Sequence, residues 1–210
     1  MKDSRKILVL APHTDDGEFG AGATIARWLE EGDEVHYAAF SLCEESVPEG
    51  WPKDILEKEV REATAALGID GSHLHLFRFT VRRFDNSRQE ILEELVQMNR
   101  NLSPDIVLCP APSDIHQDHA VVAAEAIRAF KRTTILGYEM PWNNLTLSTT
   151  CFVRLEKRHL DQKVNALKCY ESQRHRNYAR EELVRSLAVV RGTQIGTELA
   201  ETFEVIRWVM

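Results

Sequence analysis

Two short polar turns hold the residues of this 210-residue chain that are best suited to chemistry. In the first turn His13 is followed by the adjacent carboxylates Asp15 and Asp16, and in the second His116 and His119 are three residues apart. Imidazole and carboxylate groups are ligands of zinc and other first-row metals. Turn formation explains single aspartates, but it does not require a histidine beside two carboxylates. Taken alone, the first turn is as compatible with a plain turn as with a metal site.

Together the two turns indicate a catalytic metal site. His13, Asp16 and His119 would supply two imidazoles and one carboxylate, and three protein ligands with one open position are typical of catalytic zinc. Zinc lowers the pKa of a bound water to about 7 and polarises a carbonyl oxygen. Asp15 would then be available as the general base that takes the proton of this water. His116 could donate to the developing oxyanion or protonate a leaving amine.

The remaining polar residues of the turns allow two interpretations. Asp118 could orient one of the imidazoles, as carboxylates behind metal ligands do. Asp118 and Asp114 could equally be acidic residues favoured near a helix start. The other histidines lack such neighbours in the sequence, and we interpret them as ordinary surface or strand residues: His36, His73, His75, His159 and His175.

Alternating strand and helix patterns predict how these turns are positioned. The apolar residues 7–10 and 106–109 indicate buried strands directly before the two turns, and helical patterns follow each turn. Further strands are predicted at 34–40, 74–77, 133–140, 149–155 and about 202–209, and further helices at 54–67, 86–102 and 158–171.

This alternation predicts an α/β fold, with a single doubly wound, Rossmann-like and mostly parallel sheet covered by helices on both faces. No linker rich in Gly, Ser or Pro interrupts the chain, so we expect one domain over residues 1–210. In the commonest doubly wound order the first and fourth strands are neighbours, and both turns would open into the same crevice.

Composition narrows the class of protein. The contents of 43% hydrophobic and 28% charged residues are those of an ordinary globular chain. A net charge of −7 without a long basic run argues against nucleic acid as a partner. The sequence has no apolar run near ~18 residues and no apolar leader, which predicts a cytoplasmic enzyme without a membrane partner.

At its two turns the chain resembles the PIG-L/LmbE-like de-N-acetylase family, most closely the bacterial members that act on N-acetylglucosaminyl compounds. The family motif His-x-Asp-Asp, with a following Glu and Gly, is matched by residues 13–20, HTDDGEFG. The second motif, His-x-Asp-His, is matched by residues 116–119, HQDH. Two positions depart from the commonest pattern: Gly17 stands where many members carry Glu, and Asp114 stands where some members carry Tyr.

The resemblance implies a hydrolase that removes an N-acetyl or N-acyl group from a small molecule containing an amino sugar. It implies one zinc ion per chain, or another divalent first-row metal, bound by His13, Asp16 and His119. Asp15 would be the base, and His116 would assist the oxyanion or the leaving group. Family members also hold substrate with an arginine after the third strand, for which Arg82 and Arg83 are the two candidates here.

Other functions stay open at this point. Glycines 17, 20 and 22 do not form the Gly-x-Gly-x-x-Gly pattern of a nucleotide-binding oxidoreductase. A metal-dependent phosphoesterase would need more ligands than the two turns offer. A non-catalytic zinc protein would leave Asp15 without a role. The predicted partners are an N-acetylated sugar or glycoside and a second copy of the chain in a homo-oligomer. Trp51 and Trp142 could stack on a sugar ring or simply pack.

Overall fold

Seven strands form one sheet within residues 4–210, which the computed structural model describes. Their order across the sheet is the third, second, first, fourth, fifth, seventh and sixth strand of the chain. The first five are parallel, and the seventh pairs antiparallel with both of its neighbours. The strands are β1 (Lys6–Ala11), β2 (Glu34–Ala39), β3 (Leu74–Leu76), β4 (Ile106–Pro110), β5 (Thr134–Tyr138), β6 (Cys151–Leu155) and β7 (Leu199–Arg207).

Helices cover both faces of this sheet, as the alternating pattern predicts. Side chains of α1, α2, α5 and α6 join the core on one face, and those of α3 and α4 join the core on the other. None of the helices among residues 4–210 is both long and apolar enough to cross a membrane. The helices are α1 (Asp16–Glu30), α2 (Ile55–Leu67), α3 (Arg88–Leu102), α4 (Gln117–Ala129), α5 (Lys157–Lys168) and α6 (Glu181–Gln194).

The two central strands explain why both turns reach the same place. β1 pairs in parallel with β4, with Ile7 opposite Ile106 and Val9 opposite Leu108. Side chains of β1 alternate between the two cores, so the whole strand is apolar rather than amphipathic. Because parallel strands end at the same edge of a sheet, the segments after β1 and β4 lie side by side. The predicted adjacency of the first and fourth strands is therefore confirmed.

Two glycines of α1 allow the helix to lie against tyrosines of the sheet. A Cβ atom on Gly17 would lie 2.5 Å from Cε2 of Tyr37, and one on Gly20 would lie 2.3 Å from Cδ2 of Tyr138. Neither distance is compatible with a side chain. The glycines after the first turn thus serve close packing, and the hydroxyl of Tyr37 accepts a hydrogen bond of 3.1 Å from the backbone N–H of Gly17.

The structure departs from the sequence prediction mainly in the C-terminal third. The patterns assign no element to residues 181–194, which form α6. This helix leaves Leu183, Val189 and Val190 exposed, so its apolar residues do not mark a single buried face. α3 also begins two residues later than predicted, because residues 84–87 form a short 3₁₀ helix before it.

Candidate active site

A cavity of about 330 Å³ opens where β1 and β4 end. Its lining contains five of the residues that the sequence singles out: His13, Asp15, Asp16, His116 and His119. The first three belong to the turn after β1 and the start of α1, and the other two to the start of α4. Parallel pairing of β1 with β4 thus brings together residues about a hundred positions apart in the chain.

Three donor atoms converge at the base of this cavity. Oδ2 of Asp16 lies 3.1 Å from Nδ1 of His13 and 3.1 Å from Nε2 of His119. The two nitrogens are 3.2 Å apart. Around a tetrahedral zinc ion with bonds of about 2.0–2.1 Å, ligand atoms are separated by roughly 3.3 Å. The spacing and the chemistry of these donors therefore fit zinc closely, with an open side toward the cavity.

His116 is the other candidate for the third ligand. One ligand atom from each of His13, His116 and His119 lies within 4.8 Å of the others. However, Nδ1 of His116 accepts a hydrogen bond of 3.2 Å from the backbone N–H of Asp118. Only Nε2 of His116 is then left to face the cavity, whereas Asp16 already contacts both of the other imidazoles. The geometry favours Asp16 over His116 as the third ligand.

Carboxylates behind the two imidazoles fix the ring orientations. Oδ2 of Asp118 lies 3.0 Å from Nε2 of His13 and accepts the backbone N–H of Arg82 at 2.6 Å. Oδ2 of Asp114 lies 2.7 Å from Nδ1 of His119. Each ring thus turns its second nitrogen toward Asp16, as outer carboxylates do around metal-binding histidines. The sequence left the target of Asp118 open, and in the structure it is His13.

Without a bound cation, protons on the imidazoles balance the charge of these carboxylates. Burial by itself would lower the pKa of His13, but the carboxylates of Asp16 and Asp118 outweigh burial and raise it to about 9. His119 behaves in the same way, and Asp16 and Asp114 raise its pKa to about 10. The two imidazoles hold the pKa of Asp16 well below its usual range, despite its burial. The carboxylates of the pocket therefore stabilise positive charge, whether on protonated imidazoles or on a bound cation.

Asp15 has the properties of a general base. It lines the cavity next to Asp16, and its side chain is half-buried. Burial and the negative charge of Asp16 raise its pKa to about 6, although His13 and Arg176 act in the opposite direction. A pKa near neutrality suits a group that must accept and then release a proton at physiological pH.

His116 is set up as a neutral hydrogen-bond donor. Burial and the positive charges of His13 and His119 lower its pKa to about 4. Because Nδ1 accepts from the N–H of Asp118, the proton of the neutral ring is on Nε2. This tautomer directs an N–H group into the cavity, which favours a contact with an oxyanion over proton donation to an amine.

A buried carboxyl group stabilises the first turn through a hydrogen-bond network with two tyrosines. Glu18 is inaccessible to solvent, and its carboxyl contacts the hydroxyls of Tyr37 and Tyr170. Both hydroxyls also lie within 3.0 Å of the carbonyl oxygen of Thr14. Burial raises the pKa of Glu18 to about 8, so this group is a neutral acid at pH 7. Glu18 does not line the cavity, which makes its role a supporting one.

The far wall of the cavity combines Trp142 with residues that the sequence analysis does not single out. The ring of Tyr178 stacks on that of Trp142, with centroids 4.3 Å apart and planes inclined by 13°. Phe19 meets both rings edge-on, and the guanidinium of Arg176 lies 5.7 Å from the centre of the Tyr178 ring. Tyr178 and Arg176 precede α6 in a segment without strong periodicity, so only the fold brings them to the site.

The structure separates two pairs of residues that the sequence treats as equivalent. Arg82 lines the cavity, and its Nη2 donates to Oγ of Ser46 at 3.2 Å. Arg83 is exposed and does not line it. Trp142 likewise belongs to the cavity wall, whereas Trp51 does not. The segment between β2 and α2 also lines the cavity, through Cys43 and Ser46.

Three of the histidines that the sequence analysis interprets as ordinary surface or strand residues contact one another in the structure. His36, His73 and His75 lie together at the paired strands β2 and β3, where the ring centroids of His36 and His73 are 4.2 Å apart. His159 also has a partner, since its Nε2 lies 2.9 Å from Oε2 of Glu30. The pairing of β2 with β3 creates the first of these contacts, and it is not visible in either segment alone.

Comparisons with known proteins concern the family of this chain and its fold. The family described as GlcNAc-PI de-N-acetylase (PIG-L) matches residues 8–130. A relative from Bacillus anthracis, named a probable N-acetyl-alpha-D-glucosaminyl L-malate deacetylase 2, is 26% identical over 191 residues, which are 82% of this chain and 83% of the relative.

Two solved structures share the fold over nearly their whole length. The conserved protein TT1542 from Thermus thermophilus has a TM-score of 0.83 and 27% identity, covering 98% of this chain and 96% of its own. GalB, a 4-carboxy-2-hydroxymuconate hydratase from Pseudomonas putida, has a TM-score of 0.84 at 19% identity, covering 98% of each chain. The second likeness concerns the fold alone, because a shared fold does not fix the reaction. The family match includes both polar turns and more than half of the chain, and this chain belongs to the GlcNAc-PI de-N-acetylase (PIG-L) family.

Proposed function

We propose that this chain is a zinc-dependent N-deacetylase that hydrolyses the N-acetyl or N-acyl group of a small molecule containing an amino sugar. The observation that carries the proposal is the convergence of Nδ1 of His13, Oδ2 of Asp16 and Nε2 of His119, with separations of 3.1–3.2 Å. Membership of a de-N-acetylase family supports the reaction class. The name of the Bacillus anthracis relative supports an N-acetylglucosaminyl compound as the type of substrate.

A zinc ion held by His13, Asp16 and His119 would supply Lewis acidity that polarises an amide carbonyl and makes a water molecule more acidic. Asp118 and Asp114 keep the two imidazoles turned toward that position, and the burial of Asp16 strengthens its electrostatic attraction for a cation.

Asp15 moves the proton. It accepts a proton from the water that attacks the amide carbon, and it donates that proton to the nitrogen as the carbon–nitrogen bond breaks. The second proton of the water passes from the new carboxylic acid to the amine, so the products near neutral pH are a carboxylate and an ammonium ion. Burial and the negative charge of Asp16 raise the pKa of this carboxyl above its usual range, which favours its action as both a base and an acid near neutral pH.

His116 stabilises the negative charge that develops on the amide oxygen. The Nε2–H group of the neutral ring donates a hydrogen bond to this oxygen in the transition state. This role replaces the tyrosine that some family members carry two residues earlier, where this chain has Asp114. The carboxylate of Asp114 instead orients His119, so the two functions are divided between different residues here.

The wall of the cavity suits a small polar substrate. Its volume of about 330 Å³ lies at the lower end of the range for small-molecule sites. Trp142 and Tyr178 offer aromatic faces against which the C–H groups of a sugar ring can pack. Arg82 and Arg176 add two cationic groups at the rim, which would bind an anionic substituent of the substrate.

A phosphoesterase is the nearest alternative. Two-metal phosphoesterases hold their ions about 3.5–4 Å apart with ligands for both. Among the described residues that line this cavity, one compact set of donors is found, and His116 is the only further imidazole. Turnover of N-acetylglucosaminides without turnover of the matching phosphate esters distinguishes the deacetylase.

The ligand assignment predicts a difference in zinc content among variants. His119→Ala and Asp16→Asn should each lose about one zinc ion per chain relative to the parent, because each removes one of three converging donors. His116→Ala should retain it. Asp118→Asn should weaken zinc affinity about 10–100-fold, since it acts through the ring of His13. Elemental analysis after dialysis checks the counts, and Asp54→Asn at the surface is the matched control. Loss of zinc in His116→Ala but not in Asp16→Asn would overturn the assignment.

The role of Asp15 predicts a variant that binds metal without turning over substrate. Asp15→Asn should keep its zinc and lose about 10²–10⁴-fold in kcat, the usual contribution of a general base. The parent should also lose activity as the pH falls through the pKa of Asp15, because a protonated carboxyl cannot accept a proton. Steady-state kinetics on an N-acetylglucosaminide measure both effects. Near-normal turnover by zinc-loaded Asp15→Asn would exclude this role.

The role of His116 predicts a defect confined to the transition state. His116→Ala should lower kcat and kcat/KM together by about 10²–10³-fold while KM changes little. His116→Gln, which restores an N–H donor on a side chain of similar length, should recover part of the loss. An Ala variant with the parental kcat contradicts the proposed hydrogen bond. A Gln variant no better than Ala would point to a role of the imidazole other than hydrogen-bond donation.

A further inference from the structure

Three imidazoles and a carboxylate meet on β2 and the edge strand β3, outside the lining of the active-site cavity. Glu34 and His36 alternate along β2, His75 lies in β3, and His73 ends the short 3₁₀ helix directly before β3. Alternate residues of a strand point to the same face. The parallel pairing of Ala38 with His75 therefore places Glu34, His36 and His75 on one face of the two strands. The ring of His73 reaches the same face through its contact with the ring of His36.

The contacts within this cluster, which we call the β2–β3 histidine cluster, are short. Nε2 of His36 lies 2.7 Å from Oε1 of Glu34, and Nδ1 of the same ring lies 3.1 Å from Nε2 of His75. The rings of His36 and His73 are inclined by 31° with centroids 4.2 Å apart. One ligand atom from each of Glu34, His36 and His73 lies within 4.8 Å of the others.

The surroundings leave this cluster accessible. His36 is 5% exposed, whereas His73, His75 and Glu34 are half-buried, so an ion can enter from solvent while one ligand is fixed in the protein. Among residues 4–210, the cation paired with this carboxylate is Nζ of Lys6, which lies 3.8 Å from Oε1 of Glu34. That contact is too long for a strong hydrogen bond and involves a flexible amine, so it does not block the carboxylate.

We propose that Glu34, His36 and His73 form a second binding site for a divalent first-row metal ion, with zinc as the expected ion. Two imidazoles and one carboxylate are a donor set that zinc accepts, with water in the fourth position. His75 holds the other nitrogen of His36 and so orients that ring toward the ion.

The position of this site indicates a structural role. β3 has three residues and lies at the edge of the sheet, where it pairs only with β2. A metal ion bound by two residues of β2 and by His73 would tie this short strand to its neighbour. Because the site is at the amino end of β2 and the active site follows the carboxyl end of β1, zinc at one site does not contact residues of the other.

Zinc titration of the EDTA-treated chain tests the proposal. Isothermal titration calorimetry with ZnCl₂ at pH 7.5 should give two binding events per chain for the parent and one for His73→Gln. His75→Gln should keep both events but weaken one about 10–100-fold. The exposed residue His175 provides the matched control, and His175→Gln should bind as the parent does. Zinc should raise the melting temperature of Asp16→Asn, and this increase should disappear in the Asp16→Asn/His73→Gln double variant.

The outcomes separate this proposal from the proposed function. A parent with one event that Asp16→Asn abolishes, and that His73→Gln leaves intact, would overturn the second site while sparing the first. Two events in His73→Gln would also overturn it. Full deacetylase activity of zinc-loaded His73→Gln is expected, because the cluster is remote from the cavity. Should His73→Gln fail to fold by circular dichroism, Glu34→Gln replaces it, with an expected loss of at least tenfold in affinity for the second event.

Discussion

The site depends on one buried carboxylate held between two imidazoles. Oδ2 of Asp16 is 3.1 Å from a nitrogen of His13 and from a nitrogen of His119, and the residue is 5% exposed. An ionised carboxylate in such a place requires compensating positive charge. In the metal-free state the protonated imidazoles supply it, and a divalent cation can replace them. Burial makes an ionised carboxylate energetically unfavourable in the folded protein, and the same burial makes it an effective cation ligand.

The rest of the fold serves to hold that contact in place. Parallel pairing of β1 with β4 sets the distance between the two turns, and both strands are apolar because both of their faces are covered. Below the first turn, Glu18 and two tyrosines fix the carbonyl of Thr14. Glycines at positions 17 and 20 let α1 approach the sheet closely enough for this network to form.

Sequence reasoning succeeded where local pattern and topology carry the information. Apolar runs before the two turns were sufficient to place His13 and His119 at neighbouring strand ends. It failed where the contact depends on long-range packing. Tyr178 and Arg176 reach the cavity from a segment without clear periodicity. The β2–β3 histidine cluster depends on strand pairing, although two pairs of alternate polar residues could have signalled a shared face. The helix after Arg180 was missed because its exposed apolar residues obscure its buried side.

Proton release on zinc binding tests the central claim most directly. His13 and His119 have pKa values of about 9 and 10 without a cation, so both are protonated at pH 7, and a zinc ion binds only the neutral rings. Calorimetric titration with ZnCl₂ in buffers of different ionisation enthalpy gives the number of protons released in the event that Asp16→Asn abolishes. The account predicts about two protons per zinc ion from the imidazoles, with a further fraction from ionisation of a zinc-bound water. Zinc binding at this site without proton release would contradict it.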